Sequence, residues 1–267
     1  MSQERDLHKV LRVLGCVVQV ATIPVYADRV DRTIGAKLNN LVFALLVPGA
    51  FAALAYALGM VSRGGALGGF VVAAAIYSGL GMRGFAMLAL FVVGGSALTR
   101  LGYRRKERSG AAQEHGGRRG AKNALANCGV AVACALSYAA SPSEAIAAAF
   151  VASLGAAFAD TAESEVGGLS RRSPRLITTL QRVPPGTDGA VSLSGTLAGL
   201  AAAVLTATLG LVLGLVEGSS AAFFVALAAF LGTVADSILG ALAPRLGNEL
   251  TNVSCTLVAA FLAFALG

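Results

Sequence analysis

Three carboxylates, Asp160, Glu163 and Glu165, stand in "AFADTAESEVGG" (157–168), where a long apolar run ends with no basic residue between them. A fourth, Asp236, lies inside the apolar stretch "GTVADSILGA". An acid at the centre of a membrane helix costs about 2.5–3.5 kcal/mol on insertion scales, so Asp236 needs a compensating partner. On a helix, Asp160 and Glu163 share a face, whereas Glu165 points elsewhere unless Gly167 and Gly168 end the helix before it. Two carboxylates on one face, joined by a third from another helix, form a hard-oxygen environment suited to Mg²⁺. That ion takes one or two carboxylates together with phosphate oxygens and water. The plainer reading is that these acids pair with nearby arginines, and spacing alone leaves both open.

A second stretch, "PRLITTLQRVPPGTDGAVSLSGT" (174–196), carries Pro184, Pro185, Gly186 and Gly189, which set a tight turn ending at the start of a helix. Such turns aim backbone N–H groups at an anion, and the helix N-terminus adds partial positive charge. Thr178, Thr179, Thr187, Ser192 and Ser194 add hydroxyls and Arg175 adds a cation, although any Pro/Gly loop between helices looks similar. No GxxxxGK[ST] occurs, so a P-loop is excluded as a recognised motif. The segment 100–122 holds Arg100, Arg104, Arg105, Lys106, Arg108, Arg118, Arg119 and Lys122 against Glu107 and Glu114. It reads either as an orientation signal that attracts anionic headgroups or as a polyphosphate clamp. Asn123 and Asn127 stack at i, i+4, and Asn248 and Asn252 repeat the arrangement; buried amides in lipid need partners, so helix–helix hydrogen bonding competes with ligand binding there. His8, two residues after Asp6 in the terminal arm, and His115, beside Glu114 among loop glycines and arginines, receive no catalytic role. Cys16, Cys128, Cys134 and Cys255 are scattered through apolar runs and read as small core residues, with neither a zinc site nor a disulfide indicated.

The elements that must position these residues are membrane helices. The chain is 56% hydrophobic and 13% charged, with a mean hydropathy of +0.73, far from a soluble domain. Apolar stretches fall at about 10–27, 38–61, 66–80, 84–99, 123–141, 144–160, 191–216, 219–241 and 249–267. Their lengths suit the bilayer rather than the strands of a barrel. The expected fold is all-α, a polytopic transmembrane bundle of seven to nine segments, with 66–80 and 84–99 short and glycine-rich enough to be re-entrant or closely packed. Glu4 and Asp6 spoil a secretory n-region, so 10–27 is read as mature protein. By the positive-inside rule 100–122 is cytoplasmic. Two crossings later 161–190, with Arg171, Arg172, Arg175 and Arg182, falls on the same side. An inside N-terminus leaves Arg29, Arg32 and Lys37 outside, a mismatch that would be relieved if 10–27 lay along the interface. The expected location is the inner membrane, with the acids of 160–165, Asp188, Asp236, Asn248 and Asn252 at the cytoplasmic ends of helices.

From about residue 62 to the C-terminus the sequence resembles the integral-membrane family of phytyl-phosphate kinase and its bacterial, archaeal and animal relatives. The carriers are "GGRRGAKNALANCG" (116–129), "ADTAESEVGGLS" (159–170), "PRLITTLQRVPPGTDGAVSLSGTLAG" (174–199), "ADSILGA" (235–241) and "NELTNVSCTL" (248–257), in this order. The family's "DTxxxExG" falls on Asp160, Thr161, Glu165 and Gly167, its "PxGTxGxxS" on Pro184, Gly186, Thr187, Gly189 and Ser192, and its "DSxLGA" on Asp236, Ser237 and Gly240. Ala162 departs from an aromatic or leucine, Glu163 from a small residue and Asn123 from a glutamine, so Asp160 and Glu165 match the pattern better than Glu163 does. The resemblance divides the chain into N-terminal membrane segments (1–61) and a kinase-like membrane domain (62–267). It implies phosphoryl transfer from a nucleoside triphosphate, CTP among them, to a prenyl monophosphate. Asp160, Glu165 and Asp236 would be catalytic, and these with Glu163 would hold Mg²⁺. Arg118, Arg119, Asn123, Asn127, Thr161, Arg175, Thr178, Thr179, Pro184, Gly186, Thr187, Gly189, Ser192, Ser237, Asn248 and Asn252 would bind substrate. Membrane lipids are expected partners, nucleic acid is not, and a homodimer is left open. A CTP-dependent lipid cytidylyltransferase and a membrane transporter are the rival readings; the transporter would want its charges near the midplane.

Overall fold

The structure, a computed structural model, describes residues 34–113 and 115–266. The apolar stretch 10–27 with its interfacial or signal-like readings, His8, Cys16, Arg29, Arg32 and Glu114 lie outside them, as do the side chains of Lys37 and His115. The described chain is helical almost throughout: α1 (Ile34–Ala57), α2 (Arg63–Arg100), a short α3 (Tyr103–Arg108), α4 (Ala121–Ala140), α5 (Glu144–Gly167), α6 (Leu193–Val212), α7 (Gly218–Leu242) and α8 (Gly247–Leu266). A two-stranded antiparallel ribbon, β1 (Arg175–Leu176) and β2 (Ala190–Val191), pairs Arg175 with Val191 and Leu176 with Ala190.

Among the described residues seven helices are long and apolar enough to cross a membrane. One of them, α2, has 38 residues, and a straight helix of that length would run about 57 Å against a hydrocarbon core of about 30 Å. It is not straight. Gly81 has φ 60° and ψ −150°, a conformation essentially closed to residues with a Cβ. The chain doubles back there: the Arg100 guanidinium donates to the Leu58 carbonyl, and Gly65 and Gly95, near opposite ends of α2, both pack against Arg119. The arms 63–80 and 82–100, each roughly 27 Å long, are the short glycine-rich segments expected from the sequence.

The middle of the bundle is α5, the most deeply buried of the apolar helices. Its alanines, among them Ala147, Ala152, Ala156, Ala159 and Ala162, let five neighbours approach: the second arm of α2, α4, α6, α7 and α8. Outward-facing Leu41, Phe43, Leu67, Leu197, Phe223, Phe261 and Phe264 present an apolar surface suited to lipid. Ser143 and Ser192 cap α5 and α6, accepting from Ile146 N–H (3.2 Å) and Gly195 N–H (3.2 Å), and so fix where each helix starts.

The two polar loops meet at one end of the bundle. Lys106 bonds Glu165, Gly102 packs on Leu169, and Gly186 lies against Gly110 and Ala111. Cysteines introduced as Arg108→Cys and Arg172→Cys, both at exposed positions, should therefore react with an impermeant maleimide from the same side, and Ser141→Cys from the other. Labelling of Arg108→Cys and Arg172→Cys from opposite sides would contradict this arrangement.

Candidate functional site

Two polar clusters face each other across α5 at that loop end. The first lies between α5, α6, α7 and α8. Asp160 and Glu163, three residues apart, point to the same side, and Asp236 on α7 is within electrostatic reach of both. Thr196 of α6 donates to Glu163 Oε1 (3.0 Å), and Thr233 of α7, whose hydroxyl donates to Phe230 O (2.9 Å), lies near the same carboxylate. Thr251 of α8 faces Asp236, and Cys255, one turn on, is buried against all three acids. Among the described residues none of the three acids is ion-paired, and Asp236 Oδ1 is buried without a hydrogen-bond partner. The reading that these three simply pair with arginines does not describe them. Counted along the helices, Asp160 is roughly 10 Å and Asp236 roughly 9 Å from the loop end, nearer that end than the middle of the slab.

Glu165 does not belong to this cluster. The helix continues to Gly167, so Glu165 projects about 200° round the axis from Glu163. There it accepts from Thr99 Oγ1 (2.5 Å) and forms an ion pair with Lys106, whose side chain is 0% exposed and also donates to the carbonyls of Leu98 (3.0 Å) and Thr99 (2.9 Å). Both carboxylate oxygens are thus taken. The helical reading of Glu165 as pointing elsewhere describes its position, and its expected place beside Asp160 as a metal ligand is corrected by this pairing. Glu163, three residues from Asp160, is the glutamate that lies on the Asp160 side of α5.

The second cluster centres on Arg119. The chain 118–120 runs beside 60–62, with Arg119 N–H donating to Met60 O (3.3 Å) and Ser62 N–H to Arg119 O (3.1 Å). This turns the Arg119 side chain inward, over the Phe91 ring (5.4 Å) and onto Thr161 Oγ1 (3.3 Å), while Arg118 stays exposed. Burial draws the Arg119 pKa below its ordinary value, and Glu165 and Asp160 oppose that shift. Arg119 therefore links the two clusters through Asp160. It also stands at one end of an apolar groove between α1, both arms of α2 and α4, with Asn123 and Ser96 beside it. Asn127 is buried and donates to its own helix, at Asn123 O (2.9 Å).

The loop 174–192 folds over the first cluster, but most of its hydroxyls serve the loop itself. Thr187 Oγ1 donates to Pro184 O (2.8 Å), Thr179 Oγ1 accepts from Gln181 N–H (3.4 Å), Ser192 caps α6, and Arg175 donates to Leu180 O (2.7 Å). Thr178 is exposed. Gly189, with φ 73°, packs so tightly on Ser237 O and Ala241 of α7 that a Cβ has no room, and this contact carries Asp188 to within electrostatic reach of Asp236. Asn248 and Asn252 sit on the same stripe of α8 as Thr251 and Cys255, by helical spacing.

Sequence reading missed Lys106, Thr99, Thr196, Thr233 and Thr251. The threonines had one signal, a hydroxyl in an apolar helix. Lys106 had none, being one cation among eight. No three His, Cys, Asp or Glu side chains among the described residues are already gathered tightly enough to ligate one ion. Mg²⁺ does not require three, because it keeps waters and takes phosphate oxygens. Two close carboxylates and the unpartnered oxygen of Asp236 fit that requirement.

No solved structure matches the chain. An uncharacterized membrane protein of Synechocystis sp. is 39% identical over 204 residues, 74% of this chain and 79% of that one. The chloroplastic protein VTE6 of Arabidopsis thaliana is 34% identical over 68% of this chain and 56% of its own length, and protein PGR of the same plant is 33% identical over 76% and 78%. With residues 46–260 matching the family described as integral membrane protein DUF92, and with seven apolar helices to set in a bilayer, the chain belongs to that multi-pass membrane family.

Proposed function

We propose that this protein is a Mg²⁺-dependent membrane kinase that transfers a phosphoryl group from a nucleoside triphosphate to a prenyl monophosphate, with its active site facing the cytoplasm. The observation that carries the reading is the placement, at one loop end, of three carboxylates with no ion pair among the described residues near an inward-turned arginine at the mouth of an apolar groove. Anionic side chains belong beside a polyphosphate only when a cation lies between them. The family resemblance, to which the 34% identity with VTE6 adds, supports the same chemistry.

Asp160, Glu163 and Asp236 would hold the ion, which when bound neutralises phosphate charge. Phosphoryl transfer asks a protein chiefly for positioning and charge neutralisation, so no nucleophilic side chain is needed. An oxygen of the prenyl phosphate attacks the γ-phosphorus, forming a new P–O–P link. The bond from that phosphorus to the β,γ-bridging oxygen breaks, and the nucleoside diphosphate leaves. Arg119, reaching Asp160 electrostatically and Thr161 by a hydrogen bond, is placed to orient the acceptor phosphate. The loop 174–192 excludes water from the acids and brings Asp188 toward them.

Purified protein in detergent, given Mg²⁺, each of four nucleoside triphosphates and a panel of prenyl monophosphates, should yield a prenyl diphosphate and a nucleoside diphosphate. Release of pyrophosphate with a nucleotidyl-lipid product would make it a cytidylyltransferase, and no lipid product would end the kinase reading. In this assay Arg119→Ala should raise the apparent KM for the prenyl phosphate by about tenfold or more, the scale of losing a charge-assisted contact. Arg118→Ala, at an exposed position, should change it less than about twofold. Equal effects of the two would show that the segment acts as a diffuse positive patch.

A further inference from the structure

Resting on that reading, we infer that the groove between α1, the α2 hairpin and α4 is the binding site for the proximal isoprene units of the substrate, and that Gly69 sets how much chain enters. Its walls are apolar, with Phe51, Gly69, Val72, Leu88, Phe91 and Cys128 among them. Polar groups occur at one end, where Arg119 and Asn123 stand. An occupant must therefore carry an anion at one tip and hydrocarbon along its length, which describes a prenyl phosphate and neither a nucleotide nor a free phosphate. From Gly65 to Ala73 the first arm runs about 12 Å along the groove, too long for a headgroup and suited to the start of a chain. The same Arg119 guanidinium bonds Thr161 on α5, one residue from Asp160 and within its electrostatic reach, so a phosphate held there lies near the acids while its tail points away from them.

Gly69 is the place to test this. Among the described residues a Cβ there would meet nothing within 4 Å, although the residue lines the groove and is partly buried, so the space in front of it is part of the groove. By contrast a Cβ on the neighbouring Gly68 would press on Ala121. Replacing a helical glycine that has free space beside it favours the helix, so a graded series remains folded.

The experiment measures kcat and KM of Gly69→Ala, Gly69→Val and Gly69→Leu with dimethylallyl monophosphate and with geranylgeranyl monophosphate at saturating nucleoside triphosphate. Gly129→Leu, an exposed position on α4 outside the groove, serves as the control. The expected result is a KM for the long substrate that climbs with side-chain volume, reaching about tenfold or more for Leu, the scale on which methylenes in an apolar pocket are discriminated. The KM for the short substrate should move less than about twofold. An unchanged ratio of long to short KM across the series would overturn the inference while the kinase reading stands, and failure of the parent protein to phosphorylate any prenyl phosphate would remove that reading instead. If residues 1–33 fill the groove, the series lowers the melting temperature and leaves the chain-length profile intact, which also overturns it.

Discussion

Asp236→Asn and Asp160→Asn should each cut Mg²⁺-dependent phosphoryl transfer by a hundredfold or more, about 3 kcal/mol or more of transition-state stabilisation, without lowering the melting temperature. Each substitution keeps shape and removes charge. In the resting protein the two carboxylates and Glu163 repel one another in a low-dielectric setting, and Asp236 Oδ1 has no hydrogen-bond partner. Removing one charge relieves that repulsion, so stability should hold or rise. A residual rate that recovers at much higher Mg²⁺ would also be expected of a weakened metal site. A lowered melting temperature with full activity would mean that the acids serve the fold, and would remove the proposed metal site. Rate and melting temperature must be measured on the same preparations, since only their combination separates the two outcomes.

Glu165→Gln and Lys106→Met should behave in the opposite way, each lowering stability by about 3–5 kcal/mol, the scale for stranding one partner of a buried ion pair. Lys106 is fully enclosed and bonds Glu165 and two backbone carbonyls at the end of α2, so this contact ties the basic loop to α5. The double variant Lys106→Met with Glu165→Leu should recover most of the loss, because two apolar side chains of similar size leave no charge uncompensated. The Mg²⁺ concentration giving half-maximal rate should be unchanged in whatever fraction remains folded. A Glu165→Gln protein that keeps its melting temperature but needs far more Mg²⁺ would return Glu165 to the metal site.

The halves of this site were unequally legible. The side-by-side placement of Asp160 and Glu163 follows from a spacing of three on a helix, and an acid within "GTVADSILGA" already required a partner from another helix. Glu165 shows the limit of motif matching. Its place in the family pattern grouped it with Asp160, whereas the continuation of α5 to Gly167 directs it to the opposite side, where Lys106 meets it. Nothing in the sequence separated Lys106 from seven other cations, or Arg119 from Arg118. Pairing of 118–120 with 60–62, nearly sixty residues earlier, turns one arginine inward and leaves the other in water.

By itself the sequence determined the solvent of this protein and the local form of its elements. Apolar runs of bilayer length must be helices, because backbone groups in lipid have no other partners, and two arginine-rich loops separated by two crossings must share a side. Glycine-rich 66–80 and 84–99 were legible as short segments, re-entrant or closely packed. Which polar groups meet was decided by tertiary structure alone: the reversal at Gly81, the inward turn of Arg119, the closing of loop 174–192 on α7 and the choice of Glu163 over Glu165 beside Asp236. Each depends on contacts between residues far apart in the chain, and a spacing rule reaches only as far as the helix it is counted on.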